Sequence, residues 1–261
     1  MSLQLQQIIN QPAHPIGDVT YRQQCRAQLT ANGVLVLKNF LTPQALGTIV
    51  AEGNSKQHLA FYTTSGHNAY LTPNDPNFTQ DHARNYQIES SKGCIADDQI
   101  DLQSPLRQLY DAAPLRDFFA AVLDEQQLYP YADALSSINL HYASAGQELG
   151  WHFDNSSFAI TLLVQSPKGG GEFEYVTNLR NASQGDMNYD GVNQVLAGKV
   201  NSKKLAVSAG DLVLFRGRDA LHRVTPTQGD RTRMLVVLAY NSEPNVALSE
   251  SARTTFYGRL G

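Results

Sequence analysis

Short segments with the alternation of β-strands dominate the chain between about residues 130 and 240. Residues 137–142 and 172–176 alternate between apolar and polar side chains, and residues 158–164 form an apolar run of strand length. Residues 205–207, 211–215 and 234–240 add three more segments, and a triple-glycine turn occupies residues 169–171. Many short strands with glycine-rich turns and few helical stretches predict an antiparallel sandwich or barrel. The polar residues 177–201 are expected to leave this sheet, with a short helix at 192–196.

The first half of the chain has helical patterns instead. Thr42 followed by Pro43 is typical of a helix start, and the helix is predicted to run to about residue 58. Residues 18–31 and 106–123 also carry apolar side chains at helical spacing. Residues 62–98 are polar and predict a long loop, which is either a substrate lid or a solvated surface loop.

These patterns predict one mainly β domain with flanking helices (α+β) over residues 1–261. Its parts would be a helical flank with a candidate lid at 1–129, a β core at 130–245 and a segment closing the pocket at 246–261. A chain of 261 residues is long enough to bury a sizeable core.

Charge and composition limit the partners. The net charge is −4 and the basic residues are scattered, so neither nucleic acid nor a membrane surface is an expected partner. The N-terminus lacks a basic region followed by an apolar one, so no signal peptide is expected. Cys25 and Cys94 have no partner at Cys-x-x-Cys spacing and are expected to be free thiols in a cytoplasmic protein.

Two histidines and one aspartate have the pattern of a metal site. His152 and Asp154 are separated by one residue, and side chains at i and i+2 of a strand point to the same face. His222 would join them from another strand. A lone His-x-Asp pair often occurs by chance, but a distal histidine followed by an arginine makes the metal interpretation the stronger one. Two imidazoles and one carboxylate on one face of a metal form the facial triad of non-heme Fe(II) oxygenases.

Such an oxygenase needs electrons, which 2-oxoglutarate can supply. The far carboxylate of 2-oxoglutarate requires a fixed, charged, bidentate partner, and a guanidinium group has these properties. Arg231 and Arg233 both precede or open the apolar segment 234–240, and either could serve. The alternative for each is an ordinary arginine at a strand end.

Residues 139–241 resemble the Fe(II)/2-oxoglutarate-dependent dioxygenases of the prolyl-hydroxylase-like branch. The resemblance lies in residues 141–154, 170–173, 209–215 and 222–226. It implies a double-stranded β-helix, or jelly roll, with helices packed outside.

The same resemblance implies roles for individual residues. His152, Asp154 and His222 would be the iron ligands. Arg231 would anchor 2-oxoglutarate, because Gly229-Asp230-Arg231 matches the family's Gly-x-Arg, and Tyr142 would line the cosubstrate pocket. The family often has Ser or Thr two residues after its arginine. Arg233 occupies that position here, so the choice between the two arginines stays open.

A narrower resemblance, over residues 150–153, 158–165 and 256–259, is to a bacterial group that acts on free amino acids. This group includes radical halogenases, which have Gly where the hydroxylases have Asp. Because the chain has Asp154, the resemblance implies hydroxylation. Arg84 and Phe256 or Tyr257 are the positions expected to contact the substrate.

The expected function is hydroxylation of an unactivated C–H bond in a small molecule, such as a free amino acid or related metabolite. Fe(II), 2-oxoglutarate and O2 would be required, ascorbate could act as reductant, and succinate and CO2 would be released. The alternatives are a peptidyl or protein hydroxylase, which needs an open groove, and a non-catalytic jelly-roll metal-binding protein. A nucleic-acid demethylase is disfavoured by the net charge.

Overall fold

A computed structural model describes residues 3–261 and contains a large, curled antiparallel sheet with helices packed on its outside. The helices are α1 (Leu5–Ile8), α2 (Val19–Asn32), α3 (Pro43–Lys56), α4 (Pro105–Asp111), α5 (Ala113–Leu123), α6 (Tyr189–Leu196) and α7 (Glu250–Tyr257). The strands are β1 (Val34–Leu37), β2 (Phe61–His67), β3 (Ile88–Ile95), β4 (Tyr129–Pro130), β5 (Ile138–Ala143), β6 (Leu149–His152), β7 (Ala159–Gln165), β8 (Gly169–Gly170), β9 (Phe173–Val176), β10 (Lys203–Leu205), β11 (Leu212–Phe215), β12 (Leu221–Val224), β13 (Thr227–Gln228), β14 (Arg233–Leu238) and β15 (Tyr240–Asn241).

The main sheet has 11 strands, ten of them in the order β1-β11-β7-β14-β5-β3-β6-β12-β9-β10, while β2 pairs with β3. Short two-stranded sheets join β13 to β8 and β15 to β4. Most neighbours in the main sheet are not consecutive strands, as in a jelly roll. The expected mainly β jelly-roll fold with flanking helices is confirmed.

The sheet has a helix-covered outer face and an inner face. Alternate side chains of β5, β7 and β14, such as Leu140, Leu162 and Val236, are fully buried in the same core cluster as Ile49 of α3 and Phe118 of α5. The other set of side chains on these strands points to the inner face, and several of them are only half-buried. Helix packing therefore stabilises one face and leaves the other available for a site.

Two segments differ from the sequence prediction. The helical stretch 106–123 is two helices, because α4 ends at Asp111 and Pro114 lies in the first turn of α5, where a missing N–H is tolerated. The expected loop 62–98 is shorter, because β2 and β3 occupy its two ends and pair along seven residues. Their polar side chains concealed the strand pattern, since one face of these strands is the polar inner face of the sheet.

No helix in residues 3–261 combines the length and the apolar character needed to cross a membrane.

Candidate metal and cosubstrate site

The two candidate histidines are paired across adjacent strands. His152 ends β6 and lies opposite His222 of β12 in the antiparallel register. Both side chains are buried, at 7% and 4% exposure, and their ring centroids are 4.2 Å apart. The sheet therefore brings together two imidazoles that are far apart in the sequence.

A backbone carbonyl fixes the tautomer of each imidazole. His152 Nδ1 lies 2.8 Å from the carbonyl of Gly150, and His222 Nδ1 lies 2.9 Å from that of Ala220. A carbonyl can only accept a hydrogen bond, so each Nδ1 carries the proton and donates it. The lone pair on each Nε2 is then free for a metal, which is the usual orientation of ligating histidines.

Asp154 follows β6 and is tied to the loop before β12. Its backbone N–H donates to the carbonyl of Gly217 at 3.1 Å. Its Oδ1 lies 3.6 Å from His152 Nε2 and 3.5 Å from His222 Nε2, and its Oδ2 is buried without a hydrogen-bond partner within residues 3–261. A buried carboxylate oxygen without a partner is costly unless a cation binds it.

The electrostatics of the three groups also suit a cation. Burial alone would raise the pKa of Asp154, but the neighbouring His222 and His152 lower it below its usual range. Burial and the proximity of His222 lower the pKa of His152. Because low pKa values favour the deprotonated forms that ligate metals, the site is poised for metal binding at neutral pH.

One ligand atom from each of the three residues lies within 4.8 Å of the other two. The donor set, two nitrogens and one oxygen, is that of the facial triad, and His152, Asp154 and His222 could hold an iron ion.

Arg233 is the arginine that the structure places on the inner face. It opens β14 and is only 9% exposed, and its Nε is buried without a hydrogen-bond partner in the described part of the chain. Burial lowers its pKa to about 10, so the guanidinium remains charged at neutral pH. Gly171, at φ 62°, allows the close approach of this side chain, because a Cβ there would lie 2.9 Å from Arg233 Cδ. A buried cation of this kind needs an anion.

Arg231 lies elsewhere. Its side chain is exposed, and its Nη2 donates to the carbonyl of Pro167 at 3.1 Å. Because it precedes the first residue of β14, strand alternation does not turn it toward Arg233's side of the sheet. The structure therefore separates the two arginines that the sequence left as alternatives.

Tyr142 lies on the outer face of β5, away from the triad. It is fully buried in the core beneath the helices, and its hydroxyl donates to the carbonyl of Gly53 in α3 at 2.8 Å. Its neighbour His141 points the other way, to the inner face. This placement argues against the expected contact between Tyr142 and a cosubstrate.

The three expected substrate residues are not brought together. Arg84 lies in the loop between β2 and β3, where its Nη1 donates to the carbonyl of Pro73 at 2.9 Å. Tyr257 is buried, and its hydroxyl donates to Asn139 Oδ1 at 2.6 Å. Phe256, at 39% exposure, lies with its ring centroid 5.4 Å from Lys92 Nζ, so it alone approaches a charged group of the inner face.

Sequence reasoning gave Lys92 no role in the site, and it placed His67 only within the candidate lid 62–98. Lys92 of β3 lies on the inner face with its Nζ 3.3 Å from His141 Nδ1. His67, which ends β2, has its ring centroid 6.2 Å from that of His152 and its Nε2 2.6 Å from Ser90 Oγ. One signal in the sequence could have indicated Lys92. It is the single charged residue in the run 90–96, which has the length of a strand.

Solved structures of related architecture share the fold. An oxidoreductase of the 2OG-Fe(II) oxygenase family from Burkholderia pseudomallei is 14% identical, with a TM-score of 0.54 over 87% of this chain and 92% of that chain. A prolyl hydroxylase from Trichoplax adhaerens, in complex with a hypoxia inducible factor peptide fragment, is 12% identical, with a TM-score of 0.57 over 89% and 93%. The non-heme alpha ketoglutarate dependent epimerase SnoN from nogalamycin biosynthesis is also 12% identical, with a TM-score of 0.58 over 85% and 81%.

A search of curated proteins found no match. The profile of the family described as HalD, Halogenase D, matches residues 18–256, and the chain therefore belongs to the Halogenase D family.

Proposed function

We propose that this protein is an Fe(II)- and 2-oxoglutarate-dependent oxygenase that hydroxylates an unactivated C–H bond of a free amino acid or a related small metabolite. The observation that carries the proposal is one arrangement on the inner face. Two imidazoles with free Nε2 atoms converge on a buried carboxylate, and Arg233 supplies a buried cation on the same sheet.

The donor atoms and charges of these residues fit Fe(II) and 2-oxoglutarate. His152, Asp154 and His222 would hold Fe(II), and the unpartnered guanidinium of Arg233 would hold the far carboxylate of 2-oxoglutarate. When bound, iron and 2-oxoglutarate would allow O2 to act as the oxidant, with one oxygen atom entering the substrate and the other entering succinate as CO2 is released, and ascorbate would keep the iron as Fe(II).

The protein residues supply position and charge. The carbonyls of Gly150 and Ala220 keep both imidazoles in the ligating tautomer, and the backbone of Gly217 keeps the Asp154 carboxylate beside them. Phe153, between the first two ligands, is fully buried and packs against Tyr70 with ring centroids 5.4 Å apart, which anchors this segment.

Hydroxylation is favoured over halogenation because of Asp154. In the halogenases that the chain resembles, a glycine at this position leaves room for chloride. Here the carboxylate fills that room, since its Oδ1 lies within 3.6 Å of both Nε2 atoms. Halogenation is therefore not proposed, although the family is described by that reaction.

A small substrate is favoured over a protein. The loop between β2 and β3 packs onto α6 through Tyr70 and Tyr189, with ring centroids 5.4 Å apart, and Phe256 of α7 flanks the inner face. Tyr70 also contacts Phe153, which lies between His152 and Asp154, with ring centroids 5.4 Å apart, so this loop lies beside the triad. A peptidyl hydroxylase remains the second candidate, because one protein of the same fold was solved with a peptide fragment.

Succinate formation tests the proposal. The purified protein is incubated with Fe(II), ascorbate and 2-oxoglutarate, and succinate is followed across a panel of free amino acids and peptides. We expect at least one free amino acid to stimulate succinate formation and to gain one oxygen atom by mass spectrometry. Stimulation by peptides alone would favour the second candidate. Iron binding without substrate-stimulated succinate in either panel would contradict an enzymatic function.

Two variants serve as controls for this assay. His152→Ala is expected to abolish iron binding and succinate formation. Asp154→Gly, assayed with chloride, is expected to lose hydroxylation, and a chlorinated product would support kinship with the halogenases.

A further inference from the structure

Lys92 is a cation on the inner face with no counterion beside it. Within residues 3–261 no carboxylate lies within ion-pair distance of its Nζ. The close neighbours of this atom are the ring of His141, with Nδ1 at 3.3 Å and Nε2 at 3.5 Å, and the ring of Phe256. Burial lowers the pKa of Lys92, and a bound anion would raise it again. An ammonium group turned inward without an anion is unfavourable unless a ligand supplies one.

His141 does not supply the missing negative charge, but it can position the ammonium group. Burial, together with the charges of Lys92 and Arg233, holds the pKa of His141 well below its usual range, so the ring is neutral at neutral pH. A neutral imidazole accepts a hydrogen bond from Lys92 and adds no further positive charge. The Lys92–His141 pair therefore keeps one net positive charge.

This charge is separate from that of Arg233. Gly93 pairs with Tyr142, which sets Lys92 beside Ala143, and Arg233 pairs with Ala143 from the other side. Two strand spacings, roughly 10 Å, therefore separate the backbones of the two cations. Arg233 extends toward Gly171, whereas Lys92 extends toward His141 and α7. The two side chains therefore have different neighbours on the inner face, which suits the binding of two carboxylates.

Helix α7 covers the Lys92 side of the inner face. The ring of Phe256 lies 5.4 Å from Lys92 Nζ, and Arg259, just past the helix, forms a bidentate ion pair with Asp98 at 2.6 and 2.8 Å. Gly258 is in close contact with Phe61 of β2. These contacts hold Phe256 over the ammonium group and reduce its exposure to water.

We propose that Lys92, positioned by His141 and covered by Phe256, binds the carboxylate of the substrate, while Arg233 binds that of the cosubstrate. The inference rests on the proposed function and deepens it, since the substrate is then a small carboxylic acid oriented by its acid group. Strand β3 lies between β5 and β6, and His152 ends β6, so an acid bound by Lys92 lies on the part of the inner face next to the triad. The role expected for Arg84 passes to Lys92.

Calorimetric titration tests this without turnover. Free amino acids, their carboxamides and the corresponding decarboxylated amines are titrated into the Fe(II)- and 2-oxoglutarate-loaded protein under anaerobic conditions. We expect an acid to bind and its amide to bind about 30-fold more weakly or worse, because the amide leaves a buried charge unpaired. Lys92→Met is expected to weaken acid binding about 30-fold or more and to remove the preference for acid over amide.

Three comparisons make the test specific. Lys92→Arg is expected to restore most of the acid binding, and Lys199→Met, at an exposed position, is expected to change nothing. Affinity for 2-oxoglutarate should be nearly unchanged in Lys92→Met but lost in Arg233→Leu. Circular dichroism and thermal unfolding establish that each variant folds, and Lys92→Met should be no less stable than the parent, because it removes an unpaired charge.

The outcomes separate this inference from the proposed function. Weaker 2-oxoglutarate binding in Lys92→Met with an unchanged acid preference would overturn the inference and place Lys92 in the cosubstrate site. Equal binding of acids and amides, or no binding of any acid, would also overturn it. If acids bind in a manner that depends on Lys92 but no succinate forms in air, the proposed function would be contradicted and this inference would not.

Discussion

Gly217 lies against the carboxylate of Asp154. A Cβ atom on residue 217 would overlap Asp154 Oδ2 and would come within 3.0 Å of His222 Cε1. The carbonyl of Gly217 also accepts the backbone N–H of Asp154 at 3.1 Å. The backbone of this glycine therefore both tethers the carboxylate and forms the wall behind it.

Gly217→Ala should weaken iron binding. The added methyl group must displace the Asp154 carboxylate, and disturbing the support of a metal ligand typically reduces affinity about 10–100-fold. Fe(II) titration under anaerobic conditions measures the change. Gly47→Ala is the matched control, because nothing lies within 4 Å of a Cβ at that helical position. Unchanged Fe(II) affinity in Gly217→Ala would show that the contact between Gly217 and Asp154 does not affect metal binding.

Arg233→Leu and Arg231→Leu should differ sharply in their affinity for 2-oxoglutarate. Removing a buried cation that pairs with a carboxylate costs about 2–5 kcal/mol, whereas removing an exposed arginine costs little. Binding of 2-oxoglutarate to the Mn(II)-loaded protein by calorimetry gives both values. A larger loss in Arg231→Leu than in Arg233→Leu would reverse the assignment.

Tyr142→Phe should affect stability and not the cosubstrate. The hydroxyl of Tyr142 donates to the Gly53 carbonyl within the outer core, and losing one such bond costs about 1–2 kcal/mol. Urea unfolding measures this loss. Calorimetry should show that 2-oxoglutarate binds as it does to the parent protein, and a marked loss of that affinity would place Tyr142 in the cosubstrate pocket after all.

The metal-free protein should lose stability as the pH falls below about 6.5, the ordinary value for histidine. Burial lowers the pKa values of His141 and His152 in the folded state, so below that pH the unfolded chain binds more protons than the folded one. The free energy of unfolding therefore decreases with falling pH until the pH reaches the pKa values that the two histidines have in the folded protein. The lowered pKa of Asp154 acts only below its ordinary value of 3.8, outside this window.

His141→Gln should make this pH dependence shallower. The variant removes one of the groups that take up a proton on unfolding, and it leaves the triad intact. Urea midpoints measured in the presence of a chelator, between about pH 5 and 7.5, give the slope for both proteins. Identical slopes would mean that His141 is protonated equally in both states.

The sequence predicted the three residues of the triad, but strand alternation explains only part of their arrangement. His152 ends a strand that pairs directly with the strand of His222, as the need for a second strand predicted. Asp154 lies just beyond the strand, but its tie to Gly217 keeps it on the same side.

The sequence could not place the two arginines relative to the sheet because the start of β14 was not known. Alternation would place Arg231 and Arg233 on one face only if both were in the strand, and β14 begins at Arg233. Tyr142 was ambiguous for another reason. The strand β5 is largely buried on both faces, so hydrophobicity does not distinguish outer Tyr142 from inner His141. Both answers depend on tertiary packing.

Two of the three candidate metal ligands lie in paired β-strands, and the third lies in a loop. His152 and His222 are held by the pairing of β6 with β12, so a change in either must be accommodated by two strands at once. Asp154 lies past the end of β6, on a loop held by two backbone hydrogen bonds, from Phe153 to Ala69 and from Asp154 to Gly217. One side chain can therefore be exchanged there while every strand pairing is kept. In such a scaffold, the outcome of the chemistry is free to diverge by point mutation while the architecture is conserved.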